Sequence, residues 1–408
     1  MAQIIVVNFG SQVAHLINRR IRELEVFSEL VPYDTSVDKI KKMNPSGIIL
    51  SGGPSSVYEK GSPKINKKIL SLGIPVLGIC YGLQLIGKEY GKVLPGKLKE
   101  YGKKHLNVKK QGKLLKKLNA KEQIWMSHGD LVSKLPKDFE VLARTDTCPI
   151  AAVENSSKKL YGVQFHPEVV HTPKGKKILR NFVFDICKAK KDWNIKLKSK
   201  LIQEIKDTVG DNAVIMGASG GVDSTVAATL IHEAVGKKLH AVFIDHGLIR
   251  ENELKTVKDR FKKLRFENTY FVDASKIFLN RLKGVVDPEE KRKIIGHTFI
   301  KVFEKKVVEL EKKHKNIKFL GQGTIYPDRI ESAQPSSAAS KIKSHHNLTL
   351  PKNMKLKVIE PLKDLYKDEV RKLGMELKIP PEILFRHPFP GPGLAIRVLG
   401  KITKERVG

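Results

Sequence analysis

Two glycine-rich turns, each between an apolar run and an amphipathic run, constrain the fold of this chain most strongly. The first lies in VLGICYGLQL (76–85) and the second in AVIMGASGGVDST (213–225). Each has the order of a buried strand, a tight turn and a helix, which is the repeating unit of parallel α/β domains. The pattern predicts an α/β fold with largely parallel, doubly wound sheets.

The domain organisation follows from breaks in this pattern. Apolar runs typical of strands recur in both halves of the 408-residue chain. Between the halves lies KAKKDWNIKLKSK (188–200), a charged stretch expected of a linker. Near the end, RHPFPGPGLAIR (386–397) is rich in proline and glycine. We predict a first domain over 1–190, a second over 191–385 and the start of a third over 386–408.

Composition limits the possible partners. The net charge of +33 raises the question of nucleic acid. The lysines are spread along the chain without an arginine cluster, so we expect a solvated surface and phosphate-bearing substrates instead. No apolar run approaches the roughly 18 residues of a membrane span. The three widely spaced cysteines argue against a disulfide framework and predict a reducing, cytoplasmic location.

Cys80 is the first candidate catalytic residue. It forms a Gly-x-Cys-x-Gly pattern with Gly78 and Gly82, the cysteine counterpart of a nucleophile elbow. A tight strand-to-helix turn leaves little room for a Cβ at the flanking positions, and the helix N-terminus would stabilise a thiolate. A lone cysteine is often only a small buried side chain, so this interpretation depends on partners.

Two further segments supply such partners. GVQFHPE (162–168) ends a predicted strand with His166 and Glu168, which point the same way because they are two residues apart. His166 can accept the thiol proton and Glu168 can orient the imidazole, although a His-Pro-Glu turn can also be a structural strand exit. LSGGPSS (50–56) is a glycine turn able to direct N–H groups at an oxyanion.

Together the three segments resemble the class I glutamine amidotransferase domain. The resemblance implies that Cys80 is acylated by the side-chain amide of glutamine and releases ammonia, with His166 as base and Glu168 as orienting acid. It further implies oxyanion-hole amides at Gly53 and Tyr81. Positions near bound glutamine would be Gln84, Ser127 and His128.

The second glycine turn, GASGGVDST (217–225), lacks the ending of a Walker A loop. Its small residues can form an anion-binding nest at a helix N-terminus, and Asp223 can hold a magnesium ion. A bare Gly-Gly would be an ordinary βα turn, but the full string resembles the loop of N-type ATP pyrophosphatases. These enzymes adenylate a carbonyl oxygen and release pyrophosphate. The implied ATP-binding residues are Ser219, Gly220, Gly221, Val222, Asp223 and Ser224.

Four later sequence blocks narrow the choice of acceptor substrate. They are DPEEKRKIIG (287–296), GQGTIYPDRIES (321–332), KIKSHHN (341–347) and EPLKDLYKDEVRKLG (360–374). With the amidotransferase before them, they resemble the glutamine-hydrolysing GMP synthetase family over nearly the whole chain. The resemblance implies glutamine, ATP and xanthosine monophosphate (XMP) as substrates and Mg²⁺ as cofactor.

Lid and phosphate-proximal residues also follow from this resemblance. They are Asp328, Glu331, Lys343, His345, His346, Lys363 and Lys367. The last two lysines can instead belong to a solvated helix face. The resemblance implies a homodimer formed through a C-terminal domain, of which 386–408 would be only the start.

Three alternatives to complete GMP synthesis stay open at this point. The first is a fragment with glutaminase or adenylation activity that does not complete GMP. The second is a nucleic-acid-binding or tRNA-modifying protein, for which only the net charge speaks. The third is a non-catalytic interaction module, which would not need the nucleophile Cys80.

Overall fold

The structure is a computed structural model that describes residues 2–193, 197–333, 356–387, 389, 391–403 and 406. The chain forms two compact units, residues 1–195 and residues 196–408. Within the described residues, none of the helices combines the length and the apolar character that crossing a membrane requires.

The first unit is built on one nine-stranded sheet. Its strands are β1 Ile4–Asn8, β2 Ser28–Pro32, β3 Gly47–Leu50, β4 Val76–Ile79, β5 Lys92–Val108, β6 Lys121–Lys134, β7 Glu140–Arg144, β8 Ala152–Asn155 and β9 Leu160–Val163. They lie in the order β2-β1-β3-β4-β9-β8-β7-β5-β6. The strands from β2 to β9 pair in parallel, and those from β9 to β6 pair antiparallel.

Helices complete the first unit. They are α1 Ala14–Arg22, α2 Val37–Met43, α3 Tyr81–Tyr90 and α4 Gly175–Arg180, with a 3-10 turn at Lys67–Ser71 and a π-helical turn at Asn181–Ile186. Helix α1 buries Ala14, Ile17 and Ile21, which recur at helical spacing. All five residues of β1 are buried, as expected for a parallel strand covered on both faces.

The second unit contains a five-stranded, all-parallel sheet. Its strands are β10 Ala213–Gly217, β11 Leu239–Asp245, β12 Asn268–Asp273, β13 Ile317–Gly321 and β14 Lys357–Ile359. Its helices are α5 Leu197–Val209, α6 Val222–Val235, α7 Glu253–Lys263, α8 Ser275–Leu282, α9 Pro288–Lys313, α10 Tyr326–Ala333, α11 Lys367–Glu376 and α12 Pro381–Leu384, with 3-10 turns at Gly236–Lys238 and Gly393–Ile396.

The order of the second sheet, β12-β11-β10-β13-β14, reverses at β10. The loops after β10 and β13 therefore leave the sheet on opposite sides of a crevice at its carboxyl edge, where ligands of such sheets bind. An ideal Cβ on Gly323 would lie 3.0 Å from the backbone nitrogen of Ser224. The loop after β13 thus packs directly on the N-terminus of α6.

The turn from β4 to α3 explains both elbow glycines. A Cβ on Gly78 would lie 2.6 Å from the backbone of Gly82, and a Cβ on Gly82 would lie 2.4 Å from the carbonyl oxygen of Leu50. Cβ atoms do not approach backbone this closely, so only glycine lets α3 pack against β3 and β4 as it does. The predicted lack of room for side chains at these positions is observed.

Gly82→Ala should lower the free energy of unfolding by about 1–3 kcal/mol, because α3 must move away from β3 to admit a methyl group. Urea denaturation followed by the fluorescence of Trp125 and Trp193, both in the first unit, measures this change. Gly129→Ala is the control, since the nearest atom would lie 3.9 Å from its Cβ. Equal destabilisation by the two substitutions would contradict this account of the elbow.

Candidate active sites

Cys80 lies between β4 and α3 with φ 52° and ψ −104°, in a region that residues with a side chain rarely adopt. Its backbone is held on both sides. The Cys80 N–H donates to the Val163 carbonyl at 2.8 Å, and the Gln84 N–H donates to the Cys80 carbonyl at 3.1 Å. Such strain, fixed by surrounding structure, is typical of a nucleophile at a strand-to-helix elbow.

His166 and Glu168 form the predicted pair after β9. The His166 Nδ1–H donates to Glu168 Oε1 at 2.8 Å, and the glutamate side chain is fully buried. The backbone of His166 is fixed as well, because its N–H donates to the Trp125 carbonyl and its carbonyl accepts from Thr172 Oγ1 at 2.7 Å. These contacts hold the imidazole in one orientation.

The imidazole and the thiol lie in direct contact. Burial alone lowers the pKa of His166, but the hydrogen bonds to Cys80 and Glu168 and their charges outweigh burial and raise this pKa to about 11. His166 is therefore a cation at neutral pH. An imidazolium beside the sulfur stabilises the thiolate, which is the nucleophilic form. Gln164 Nε2 lies 3.7 Å from the same sulfur.

The glycine turn after β3 lies beside this pair. An ideal Cβ on Gly52 would be 3.2 Å from His166 Cε1 and 3.8 Å from Cys80 Cβ. Gly53 is more crowded, with its ideal Cβ 2.9 Å from the Phe9 carbonyl oxygen and 3.3 Å from the ring of Tyr81. Tyr81 is the first residue of α3, where backbone N–H groups lack an i−4 carbonyl. Gly53 and Tyr81 are thus neighbours, as an oxyanion hole would require.

Two predicted glutamine contacts also lie near Cys80. The Ser127 carbonyl oxygen is 3.5 Å from Cys80 Sγ. The buried Gln84 side chain donates from Nε2 to the Asp130 carbonyl at 2.8 Å, and Asp130 Oδ2 accepts from Ser56 Oγ. The 126–130 segment is therefore tied to α3 and to the glycine turn, and together these elements border the thiol.

The side chain of His128 has a different environment. Its Nε2 lies 3.0 Å from Glu100 Oε2 and its Nδ1 lies 2.9 Å from the Asp130 carbonyl. Both partners are oxygen atoms, so the ring is held at both of its nitrogens. Glu100 also accepts from Thr145 Oγ1 at 2.9 Å and from Thr147 Oγ1. The imidazole is held inside this cluster. A contact of His128 with glutamine would therefore come from its backbone and not from its ring.

Glu100 was not singled out by the sequence, because it lies in a lysine-rich strand with no motif around it. Burial raises the pKa of its carboxyl, but hydrogen bonds from His128, Thr147 and Thr145 outweigh burial and hold the pKa below its usual value. Cys148 lies close enough to complete a possible metal-ligand trio with Glu100 and His128. Glu100 and His128 bind each other, and Cys148 Sγ lies 3.4 Å from the Ile150 carbonyl, so hydrogen bonds already occupy the atoms that a metal would need.

The second site is the loop between β10 and α6. Ser219 Oγ and Ser224 Oγ lie 3.0 Å apart, and Ser219 Oγ accepts from the Gly221 N–H at 3.3 Å. Gly221 caps the 14-residue helix α6, whose N-terminus favours anions. Two hydroxyls and a helix terminus thus converge, while the side chain of Val222 is buried, leaving its backbone for a ligand.

Asp223 and Lys367 form an ion pair at the mouth of this loop. Lys367 Nζ donates to both carboxylate oxygens of Asp223, at 2.7 and 2.6 Å. Lys367, the first residue of α11, therefore lies at the loop as predicted for a lysine near phosphates. Carboxylate and hydroxyl oxygens suit Mg²⁺, which binds through one or two carboxylates plus phosphates, so the donor set fits this ion.

The predicted lid residues are only partly described. Asp328 Oδ2 accepts from the Ile325 N–H at 3.2 Å near the start of α10, and Glu331 lies in the same helix. Lys363 is exposed before α11. Lys343, His345 and His346 lie outside the described residues.

Comparison with known proteins also assigns the two sites to two different domains. The family profile of Glutamine amidotransferase class-I matches residues 5–186, and that of NAD synthase matches residues 195–291. The chain is therefore a class I glutamine amidotransferase domain followed by an ATP pyrophosphatase-type domain. This confirms the predicted fold class.

Several similar curated proteins are named GMP synthase [glutamine-hydrolyzing]. Those of Carboxydothermus hydrogenoformans and Aquifex aeolicus are both 53% identical, over 409 and 405 residues. That of Brachyspira hyodysenteriae is 50% identical over 408 residues. The matches cover 98–100% of this chain and 78–79% of those proteins. The chain belongs to the family of glutamine-hydrolysing GMP synthases, as the sequence motifs predicted.

His166→Asn should slow alkylation of Cys80 by iodoacetamide at neutral pH about tenfold or more, because the cation that stabilises the thiolate is lost. Mass spectrometry of the labelled chain gives the rate. Burial raises the pKa of Cys148 and Cys187, so these thiols should react slowly, and Cys80→Ser supplies the background. An unchanged rate in His166→Asn would show that the imidazole does not activate the sulfur.

Glu100→Gln should destabilise the protein in a pH-dependent way. A carboxyl with a lowered folded-state pKa stabilises the fold above its ordinary value of 4.5, and this contribution disappears as the pH falls through the folded-state value. The stability difference between the two proteins should therefore be largest near neutral pH and shrink in acid. Urea denaturation across this pH range measures it, and a constant difference would refute the prediction.

Proposed function

We propose that this chain is a glutamine-dependent GMP synthase. It hydrolyses glutamine in the first unit, and in the second unit it uses ATP to adenylate XMP, which ammonia converts to GMP with release of AMP. The observation that carries the proposal is the Cys80 elbow in contact with His166 and Glu168, in the same chain as a pyrophosphate-type loop. Family membership supports the choice of acceptor.

In the first unit, the Cys80 thiolate attacks the side-chain carbonyl carbon of glutamine. The Gly53 and Tyr81 amides stabilise the oxyanion that forms. His166, already protonated, gives its proton to the departing nitrogen and releases ammonia, leaving an acyl-cysteine. Its neutral form then activates the water that hydrolyses this thioester. Glu168 keeps the imidazole oriented and balances its charge throughout.

In the second unit, the 219–224 loop receives the β- and γ-phosphates of ATP. The Ser219 and Ser224 hydroxyls and the N-terminus of α6 supply the donors. Asp223 would hold Mg²⁺, which neutralises charge on the phosphates. Lys367, paired with Asp223, can turn to the phosphates. Adenylation converts the C2 oxygen of XMP into a good leaving group, which ammonia displaces.

The finer assignments belong to the same proposal. Lys343 and the other lid residues would cover the adenylate, and XMP would be the acceptor. A homodimer is the assembly that the family resemblance implies. The cytoplasm is the proposed location, in keeping with three unpaired cysteines.

Cys80→Ala should abolish GMP formation from glutamine and leave GMP formation from ammonium unchanged, because only the first reaction needs the thiol. Both rates are measured by chromatography of GMP in the presence of ATP, Mg²⁺ and XMP. Lys367→Ala is the matched variant of the other site and should reduce both rates.

Two outcomes would contradict the proposal. Equal loss of the glutamine and ammonium reactions in Cys80→Ala would mean that the two chemistries are not separate. Pyrophosphate release without GMP in the unaltered chain would favour the alternative of a partial activity.

A further inference from the structure

The Gly220 peptide belongs to the 219–224 loop, to which the proposed function assigns ATP, and its carbonyl oxygen is bound from outside this loop. Gly220 is buried and has φ +72°, the left-handed region that favours glycine. An ideal Cβ there would lie 2.7 Å from the Val257 side chain, so α7 packs directly against the loop. The loop is therefore supported by side chains from outside its own motif.

Two arginines donate to this one carbonyl oxygen. Arg260 Nη1, from α7, and Arg386 Nη1, from the segment after α12, each lie 3.1 Å from Gly220 O. Glu253 lies between them and binds Arg386 through both oxygens, at 2.8 and 3.1 Å. The side chains of Glu253, Arg260 and Arg386 are only 11–13% exposed. We call these three residues the loop brace.

The peptide geometry connects the brace to the phosphate side of the loop. In a trans peptide the carbonyl oxygen and the following N–H point in opposite directions. Fixing the Gly220 oxygen from behind therefore aims the Gly221 N–H forward, toward the hydroxyl of Ser219, where it is observed. This N–H is one of the donors that a pyrophosphate group would meet.

The segment that carries Arg386 is also anchored elsewhere in the second unit. The Leu394 N–H donates to the Leu248 carbonyl at 2.7 Å, beyond β11. The buried Lys291 of α9 donates to the carbonyls of Ala395, Val398 and Gly400 at 2.7–3.1 Å. The stretch is thus built into the unit and is not a free tail.

We infer that the loop brace is a positioning device for the phosphates of ATP, holding the Gly220–Gly221 peptide in the orientation that binds pyrophosphate. Arg386 thereby makes the stretch after α12 a working part of the nucleotide site. The inference rests on the proposed function of the loop. The loop brace acts through the Gly220–Gly221 peptide. Its loss should therefore weaken the binding of a ligand in proportion to the contact that the ligand makes with the loop.

Arg386→Lys tests this directly. A lysine keeps the charge but lacks the planar fork with which Arg386 binds both Glu253 oxygens while it donates to Gly220, so Mg·ATP and Mg·pyrophosphate should both bind about tenfold more weakly. AMP, which lacks the β- and γ-phosphates, should bind as before. Isothermal titration of the full chain with each of the three ligands gives the dissociation constants. Equal weakening of all three would indicate general damage and overturn the inference.

Two other variants complete the experiment. Arg250→Ala is the matched control, because Arg250 contacts the same segment at the His387 carbonyl and the Phe389 ring but not the loop. It should leave ATP binding within about twofold, and a loss equal to that of Arg386→Lys would overturn the inference. If Arg386→Lys fails to fold, Glu253→Gln tests the brace instead. It should weaken the binding of Mg·ATP and Mg·pyrophosphate and leave the binding of AMP unchanged.

The titrations separate failure of the inference from failure of the proposed function. Binding of Mg·ATP to the unaltered chain with no change in Arg386→Lys or Glu253→Gln would reject the brace alone. Absence of Mg·ATP and pyrophosphate binding in the unaltered chain would reject both.

Discussion

The close approach of α3 to the carboxyl edge of the first sheet is the contact on which the glutaminase site depends. It exists because Gly82 places no side chain against the Leu50 carbonyl. That approach forces the chain through a sharp turn, which puts Cys80 at positive φ and exposes its sulfur side to His166. Cys80 also directly precedes α3, so this close packing fixes the position of the cysteine and places it at the positive end of a helix.

The two sites manage charge in different ways. At Cys80 the protein itself supplies the charge, since the His166 imidazolium contacts the sulfur and is hydrogen-bonded to Glu168. At the 219–224 loop the incoming ligand brings the charge, and the protein prepares backbone donors for it. Preparing donors requires that the backbone not relax toward its own carbonyls, and the half-buried Arg260 and Arg386 bind the Gly220 carbonyl from outside the loop.

Local patterns predicted much of the fold and both motifs, because a strand, turn and helix are encoded within about a dozen residues. Apolar runs do not reveal β2, Ser28–Pro32, because it is an edge strand whose glutamate and proline interrupt the run. Prediction missed Glu100 and the Arg386–Gly220 contact. These depend on partners 28 and 166 residues away, and no local pattern encodes such a pairing.

A motif match also predicts where a residue lies more reliably than it predicts which of its atoms contact a ligand. His128 lies in the segment beside the thiol, yet its imidazole binds Glu100 and Asp130 inside the protein. Asp223 and Lys367 were matched separately, yet they bind each other. In the proposed function, a magnesium–nucleotide complex would offer the carboxylate a cation and the ammonium a phosphate. Its binding would then exchange one ion pair for two, which would offset the loss of the Asp223–Lys367 contact.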